Sequence, residues 1–354
     1  MRIYFLTLLS LLLIGCNPFS APDNTHEALT PPPSEKNKAE SLADQLNTPW
    51  TIEKSGDTIY LTERPGAIVK LENGEVTRQQ LTLEKEVSTN SEAGLLGFIL
   101  APDFPESQLA YAYYTYNEDG QAYNRIITLK NEGNLWQEQD ILIDHIPSGN
   151  VHHGGRIAIG PDNKLYATTG DAAQPELAQD IHSLAGKILR FNLDGSIPED
   201  NPFDNSYVYS YGHRNPQGLA WSEEQTLYAS EHGDNANDEI NQIEAGNNYG
   251  WPIIEGTETH TDMVTPLFTS GSDITWAPSG MAYYQGSLYV AALRGAAILA
   301  FHLEEQIQDA FIEDYGRIRD VYIEGDELYF ITNNTDGRGS AQTNDDQLYL
   351  IRLD

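Results

Sequence analysis

Cysteine is almost absent. Cys16 stands alone in 354 residues, so no disulfide can form within one chain. Basic residues are scarce: 20 Lys and Arg face 53 Asp and Glu, a formal charge of -33. A surface of that sign repels polyanions, which argues against nucleic acid and leaves small neutral or cationic partners. No lysine follows Lys187, and the arginines beyond it are Arg190, Arg214, Arg294, Arg317, Arg319, Arg338 and Arg352. Helical periodicity is weak, and only the first residues form a sustained apolar run, itself short.

That run explains the cysteine. MRIYFLTLLSLLLIGC carries one positive charge, then a short apolar stretch ending Leu13-Ile14-Gly15-Cys16. It is too short to span a bilayer comfortably and suits a signal-peptide core. It resembles a bacterial lipoprotein signal, residues 1–16, whose cleavage leaves Cys16 lipidated. The expectation is an exported protein in the cell envelope, anchored by lipid rather than spanning. Residues 17–47 are rich in Pro, Ser, Asn, Thr, Glu and Lys, and include Pro31-Pro32-Pro33. Such a stretch buries too little apolar surface to fold and reads as a tether.

From residue 48 onward, short β-type runs alternate with Gly, Asn, Asp and Pro. One pattern recurs around Tyr60, Tyr111, Tyr166, Tyr228, Tyr289, Tyr329 and Tyr349, each preceded by an aliphatic residue. The first five lie about 50 to 60 residues apart. A period of that size with four strands per unit indicates an all-β fold, a β-propeller of four-stranded antiparallel blades. Roughly 305 residues at about 50 each make six blades. The tyrosine rings would pack between blades with their hydroxyls hydrogen-bonded.

Polar motifs are densest between residues 150 and 252: NVHHGGRIAIGPDNKLYATTGD, AQDIHSLAGKILRFNLDGSIPEDNPF, YSYGHRNPQGLAW and YASEHGDNANDEINQIEAGNNYGWP. With Glu92-Ala93-Gly94-Leu95-Leu96-Gly97 upstream and Ala277-Pro278-Ser279-Gly280-Met281 downstream, they resemble the soluble quinoprotein glucose and aldose sugar dehydrogenases. The resemblance runs from about residue 50 to the C-terminus. It implies a six-bladed propeller that uses pyrroloquinoline quinone (PQQ) and calcium to oxidise the anomeric carbon of aldoses to lactones. Electrons would pass to an unknown acceptor.

The scarce arginines fit that implication. PQQ carries three carboxylates on a flat o-quinone, and guanidinium forks pair well with carboxylates. The resemblance maps Glu92, Arg214, Asn215, Arg294, Arg317 and Arg319 onto cofactor contacts. Arg317 and Arg319 would face one side of a strand and share one pocket. Glu92 is the awkward member, because a carboxylate beside a tricarboxylate must be neutral, bind calcium or point elsewhere.

The family's catalytic base opens an H-x-x-G-R unit. In that register the base is His152, with Arg214 assisting, and imidazole suits the task near neutral pH. On a strand His153 would then face away, while Gly154 and Gly155 would let the backbone approach a ligand. Zinc is disfavoured, since adjacent histidines are poorly placed for one ion and further ligands are missing. Arg156 reads as structural, Asp171 as a turn residue and Trp251 as core.

The segment 233–241 is oxygen-rich, which suits calcium, although it lacks the EF-hand spacing. The resemblance implies one calcium at the carbonyls of Gly233 and Asp234, where relatives commonly have Pro at the second position. It implies another at Glu239 and the Tyr249 carbonyl. Two other readings stay open: a non-catalytic propeller receptor and a metal-dependent propeller lactonase. The oligomeric expectation is a monomer or weak dimer.

Overall fold

The computed structural model describes residues 39–353. Cys16, the signal segment and most of the expected tether lie outside the described residues. Strand is the dominant regular structure of the described chain; one four-residue α-helix (Phe104–Ser107) and one short 3-10 turn (Pro175–Ala178) stand beside it.

The first strand, β1 (Glu40–Ala43), is followed by four strands in sequence, β2 (Pro49–Ser55), β3 (Thr58–Glu63), β4 (Ala67–Glu72) and β5 (Glu75–Thr82). The second unit comprises β6 (Leu95–Leu100), β7 (Leu109–Glu118), β8 (Gln121–Asn131) and β9 (Leu135–Pro147). The third comprises β10 (Ile157–Ile159), β11 (Leu165–Thr169), β12 (Lys187–Phe191) and β13 (Val208–Tyr211). The fourth comprises β14 (Pro216–Trp221), β15 (Leu227–Glu231), β16 (Glu239–Ile243) and β17 (Phe268–Thr269). The fifth comprises β18 (Pro278–Tyr284), β19 (Ser287–Ala292), β20 (Ala297–His302) and β21 (Ile307–Ile312). The last has β22 (Ile318–Glu324), β23 (Glu327–Thr332) and β24 (Leu348–Arg352), with β1 as its fourth strand.

These are six four-stranded antiparallel blades, as the repeat implied. The first two are also joined at their outer edges by a short parallel pairing of β5 with β9. Blades meet through their first strands: β2 touches β6 and β22, β6 touches β10, and β18 touches β14 and β22. The recurring tyrosines mark the second strand of each blade, from Tyr60 on β3 to Tyr329 on β23; Tyr349 is on β24. Tyr60 packs edge-on against Trp136 of the next blade, and the Tyr166 hydroxyl donates to Asp162 at 3.1 Å.

One boundary needs correction. Residues 39–47 were assigned to the tether, yet Glu40–Ala43 pairs antiparallel with Leu348–Leu350. Ala43 and Leu46 are buried in the same cluster as Ile331 and Leu348. The partner of this strand lies some 300 positions away, so local composition carries no trace of the pairing. The N-terminal strand thereby closes the ring from the C-terminal blade. Truncation to residue 48 should open the sixth blade and lower the thermal midpoint by about 5 °C or more. An unchanged midpoint in differential scanning calorimetry would show that β1 contributes nothing to closure.

Candidate active site

In each blade the first strand starts at one end of the ring, and the antiparallel turn between the second and third strands returns there. The sequence motifs occupy these two kinds of position. Glu92, His152, Arg214 and Arg317 lie just before β6, β10, β14 and β22. Arg64, Asp171, Gly233, Arg294 and Asp336 lie in second-to-third-strand connections. Antiparallel topology therefore gathers them at one mouth of the central channel.

His152 is half-buried in a loop, not on a strand, and its backbone is left-handed at φ 63°. Its N–H donates to Glu92 Oε2 at 3.1 Å. Its ring Nδ1 lies 2.7 Å from Asp171 Oδ1. Asp171 is fully buried and also accepts from the Ala173 N–H and from Trp251 Nε1, each at 2.8 Å. A carboxylate can only accept from an imidazole N–H, so Nδ1 carries a proton, and in the neutral ring Nε2 holds the lone pair. Asp171 is thus a turn residue, as its sequence setting suggested, but it also orients the histidine. Trp251, assigned to the core, is half-buried against the site, with the Arg214 guanidinium 5.2 Å from its ring centre.

The two glycines after His153 are required by close packing of the chain, and Gly154 also lines the central pocket. A Cβ on Gly154 would stand 2.5 Å from the Thr168 carbonyl, and one on Gly155 would stand 2.7 Å from Leu96 Cδ1. Gly154 makes room for β11 of its own blade, and Gly155 for β6 of the second blade. His153 is buried and its Nδ1 lies 2.8 Å from Ser148 Oγ. It does diverge from His152, but it lines the central pocket instead of facing away from it. The expectation failed because the segment is loop, so strand alternation does not apply.

Two neighbouring cavities divide the arginines. An outer one of about 700 Å³ is lined by Arg294, Arg317, Arg338 and Tyr315 among others. A narrow inner one, reaching Trp50, is lined by Arg64, Glu92, His153, His232, Arg319 and Arg338. They share Leu293 and Arg338. Arg317 and Arg319 therefore face adjoining spaces, not the single pocket expected; a register shift between Ile318 and Asp320 separates them.

Arg317 pairs with Asp336 at 2.8 Å. Arg319 is buried and bonded only to neutral oxygens: Gln217 Oε1 at 2.8 Å, Ser279 Oγ at 3.3 Å and Asn333 Oδ1 at 3.2 Å. Burial, with Arg64 and Arg317 adding like charge, pushes this guanidinium down to about 9. Arg294 is exposed and makes no side-chain hydrogen bond among the described residues. Asn215 is buried and accepts the Gly154 N–H at 3.0 Å, bracing the histidine loop.

Glu92 proves to be ionised and engaged. Burial opposes its charge, but Arg338 at 2.8 Å and the His152 N–H outweigh burial and hold the carboxyl at about 2. Arg64 and Arg338 were not singled out in the sequence; each lies in a Gly-containing turn with no motif of its own.

The acidic loop lies beside Arg214. Arg214 donates to Asp234 Oδ1 at 3.1 Å, and Gly233 N–H donates to Asp238 Oδ1 at 3.0 Å. Glu239 is paired across the sheet with Glu231. Burial and the Glu231 charge push the Glu239 carboxyl up to about 8. Both face a small cavity with Gly233, Tyr249 and Glu255. Among the described residues no three Asp, Glu, His or Cys side chains converge as a metal cluster, so an ion here would draw on backbone carbonyls. Tyr249 is buried with its ring stacked on His213 at 4.8 Å.

Several buried donors have no partner among the described residues: Nε of Arg214, Arg317 and Arg319. The Nε2 atoms of His153 and His232 are likewise unpartnered. Orphaned buried polar atoms are costly and rare. Their concentration at one mouth marks a site shaped for a polar, anionic ligand.

The comparisons agree with this geometry. Residues 46–350 match the family model described as Glucose / Sorbosone dehydrogenase. Quinoprotein glucose dehydrogenase B of Acinetobacter calcoaceticus is 36% identical over 267 residues, spanning 64% of this chain and 56% of that relative. Aldose sugar dehydrogenase YliI of Escherichia coli is 30% identical over 344 residues, 84% of this chain and 90% of the relative. The PQQ-bound aldose sugar dehydrogenase of Streptomyces coelicolor superposes with a TM-score of 0.83 at 39% identity, covering 90% of this chain and 98% of its own. With its six blades and the arginine-lined mouth of its channel, the chain belongs to the glucose/sorbosone dehydrogenase family.

Proposed function

We propose that this protein is a PQQ- and calcium-dependent aldose dehydrogenase that oxidises the anomeric carbon to a lactone. The observation that carries the reading is the His152–Asp171 pair beside guanidinium donors that lack partners. Asp171 fixes the tautomer, so Nε2 of His152 is free to take the C1 hydroxyl proton. Three hydrogen bonds to Asp171 and the Glu92 contact to the His152 backbone hold that geometry before substrate arrives.

The residues fit the cofactor. Arg214, Arg317 and Arg319 have unused N–H groups, and Arg294 is uncommitted, which suits a flat tricarboxylate. Asn215 braces the same wall. Glu92 serves the site indirectly, by fixing His152 and Arg338. When bound, the quinone supplies the hydride acceptor, and calcium supplies Lewis acidity. Arg214 is placed to stabilise negative charge that develops nearby. Gly233 and Asp234 would offer carbonyls to one calcium, and Glu239 with the Tyr249 carbonyl to another. The crowding of Glu239 against Glu231 supports a cation there. Turnover would require an external electron acceptor. The leader read in the first 16 residues supports an exported, lipid-anchored enzyme.

Protein reconstituted with PQQ and calcium should reduce an artificial dye when given aldoses. His152→Gln should retain quinone, followed by its absorbance, and lose about 100-fold or more in kcat. Asp171→Asn should lose about tenfold or more in kcat with little change in KM. Bound quinone with no activity across pentoses, hexoses and disaccharides would overturn the substrate assignment.

Calcium should raise the melting temperature of the EDTA-treated protein. Glu239→Gln should abolish most of that gain, and equal gains in both proteins would remove Glu239 from the ion site. Cys16→Ser should move the protein from the membrane to the soluble fraction of its host, and an unchanged distribution would refute the lipid anchor.

A further inference from the structure

His153 is the part of the histidine pair that the mechanism leaves unused, and its surroundings assign it a chemistry. The inner pocket is walled by donors: Arg64, Arg319 and Arg338 all line it. Its carboxylates are already engaged. Glu92 takes the His152 N–H and Arg338, and Asp336 takes Arg317 and the Arg338 N–H. His153 Nε2 is buried in this wall with no partner.

The other side of the ring decides what Nε2 is. Nδ1 lies 2.8 Å from Ser148 Oγ. That hydroxyl donates to Asn124 Oδ1 at 3.2 Å, and Thr115 donates to the same oxygen at 2.7 Å. With its hydrogen committed to Asn124, Ser148 offers His153 a lone pair, so Nδ1 carries the proton. The Asn150 carbonyl, which can only accept, also favours a ring proton. The Tyr113 hydroxyl donates to the His153 carbonyl at 2.8 Å and fixes the backbone. Nε2 is therefore a lone pair held among guanidiniums. Burial pushes the imidazole down to about 4, so it stays neutral at neutral pH.

A ligand matched to this wall offers acceptors everywhere except at one point, where it donates. Oxidised PQQ has that pattern. Its carboxylates, quinone oxygens and pyridine nitrogen accept, and its pyrrole N–H donates. We propose that His153 accepts the pyrrole N–H of the cofactor and so sets which way round the flat ring lies across the mouth of this narrow pocket. This rests on the quinone reading above. His232 lines the same pocket with an unpartnered Nε2. No hydrogen bond holds its Nδ1 among the described residues, so its tautomer is not fixed and it can adapt to either polarity.

The test is a titration of apo-protein with PQQ and with its pyrrole N-methyl analogue, reading the dissociation constant from the absorbance of bound quinone. Wild type should favour PQQ by about tenfold or more. His153→Phe should bind the two ligands alike, while His153→Gln, whose amide oxygen accepts, should keep part of the preference. Ser148→Ala lies behind the ring, frees the proton to move to Nε2, and should also erode the preference. It serves if the Phe variant does not fold, as judged by thermal melting. His232→Phe should leave the preference intact. Equal binding of both ligands by wild type, an undiminished preference in His153→Phe or Ser148→Ala, or its loss in His232→Phe would overturn the assignment. Failure of wild type to bind PQQ at all would overturn the quinone reading instead.

Discussion

The buried pair of Arg156 and Asp320 joins the blades at the axis. Arg156, entering from the third blade, donates to the Gln217 carbonyl of the fourth at 2.9 Å, to Thr51 of the first at 3.3 Å and to Asp320 of the sixth at 3.1 Å. Its guanidinium lies 4.3 Å from the Trp50 ring centre. Asp320 in turn accepts the Ile52 N–H at 2.9 Å. A Cβ on Gly280 of the fifth blade would collide with its carboxylate. Losing one member of such a pair leaves a buried charge exposed to nothing, at a cost of about 3–5 kcal/mol. Ring closure and site geometry therefore share one support, because His152 lies four residues before Arg156 on the same loop.

Above that hub the electrostatics invert. The protein is acidic overall, yet its channel mouth concentrates guanidiniums, one of which, Arg319, has no carboxylate partner among the described residues. Neutral acceptors satisfy its forks but leave Nε unpaired. Retaining such a charge makes sense where a polyanion completes the site, since pairing then returns what burial cost. The surrounding acid excess leaves a small anionic cofactor few competing places to bind.

The repeat was legible because each blade solves the same packing problem, and an aliphatic residue followed by Tyr recurs on the second strand wherever that strand must bury one face. The arginines and His152 were legible because they stand in short motifs at strand starts. What escaped depended on distant partners. Glu40–Ala43 looked like tether because its hydrogen bonds go to the C-terminal strand. Asp171 and Trp251 looked ordinary because their roles are to each other and to His152, across 80 and 19 positions. Arg64 and Arg338 stand in plain turns that only the ring brings together.

The histidine pair shows how far sequence spacing reaches. Alternation on a strand would send the two side chains to opposite faces, and they do part company, but for another reason. The left-handed turn at His152 aims its ring at Asp171, while His153 is drawn inward to Ser148. Two imidazoles on adjacent residues thus acquire fixed and different neighbours on their Nδ1 sides. Each presents its Nε2 to a different part of the site, one toward the half-open mouth and one into the buried wall. The proposed base, His152, must exchange its proton, and the mouth gives it the access to do so. An acceptor that only orients a ligand must stay neutral, and burial ensures that it does.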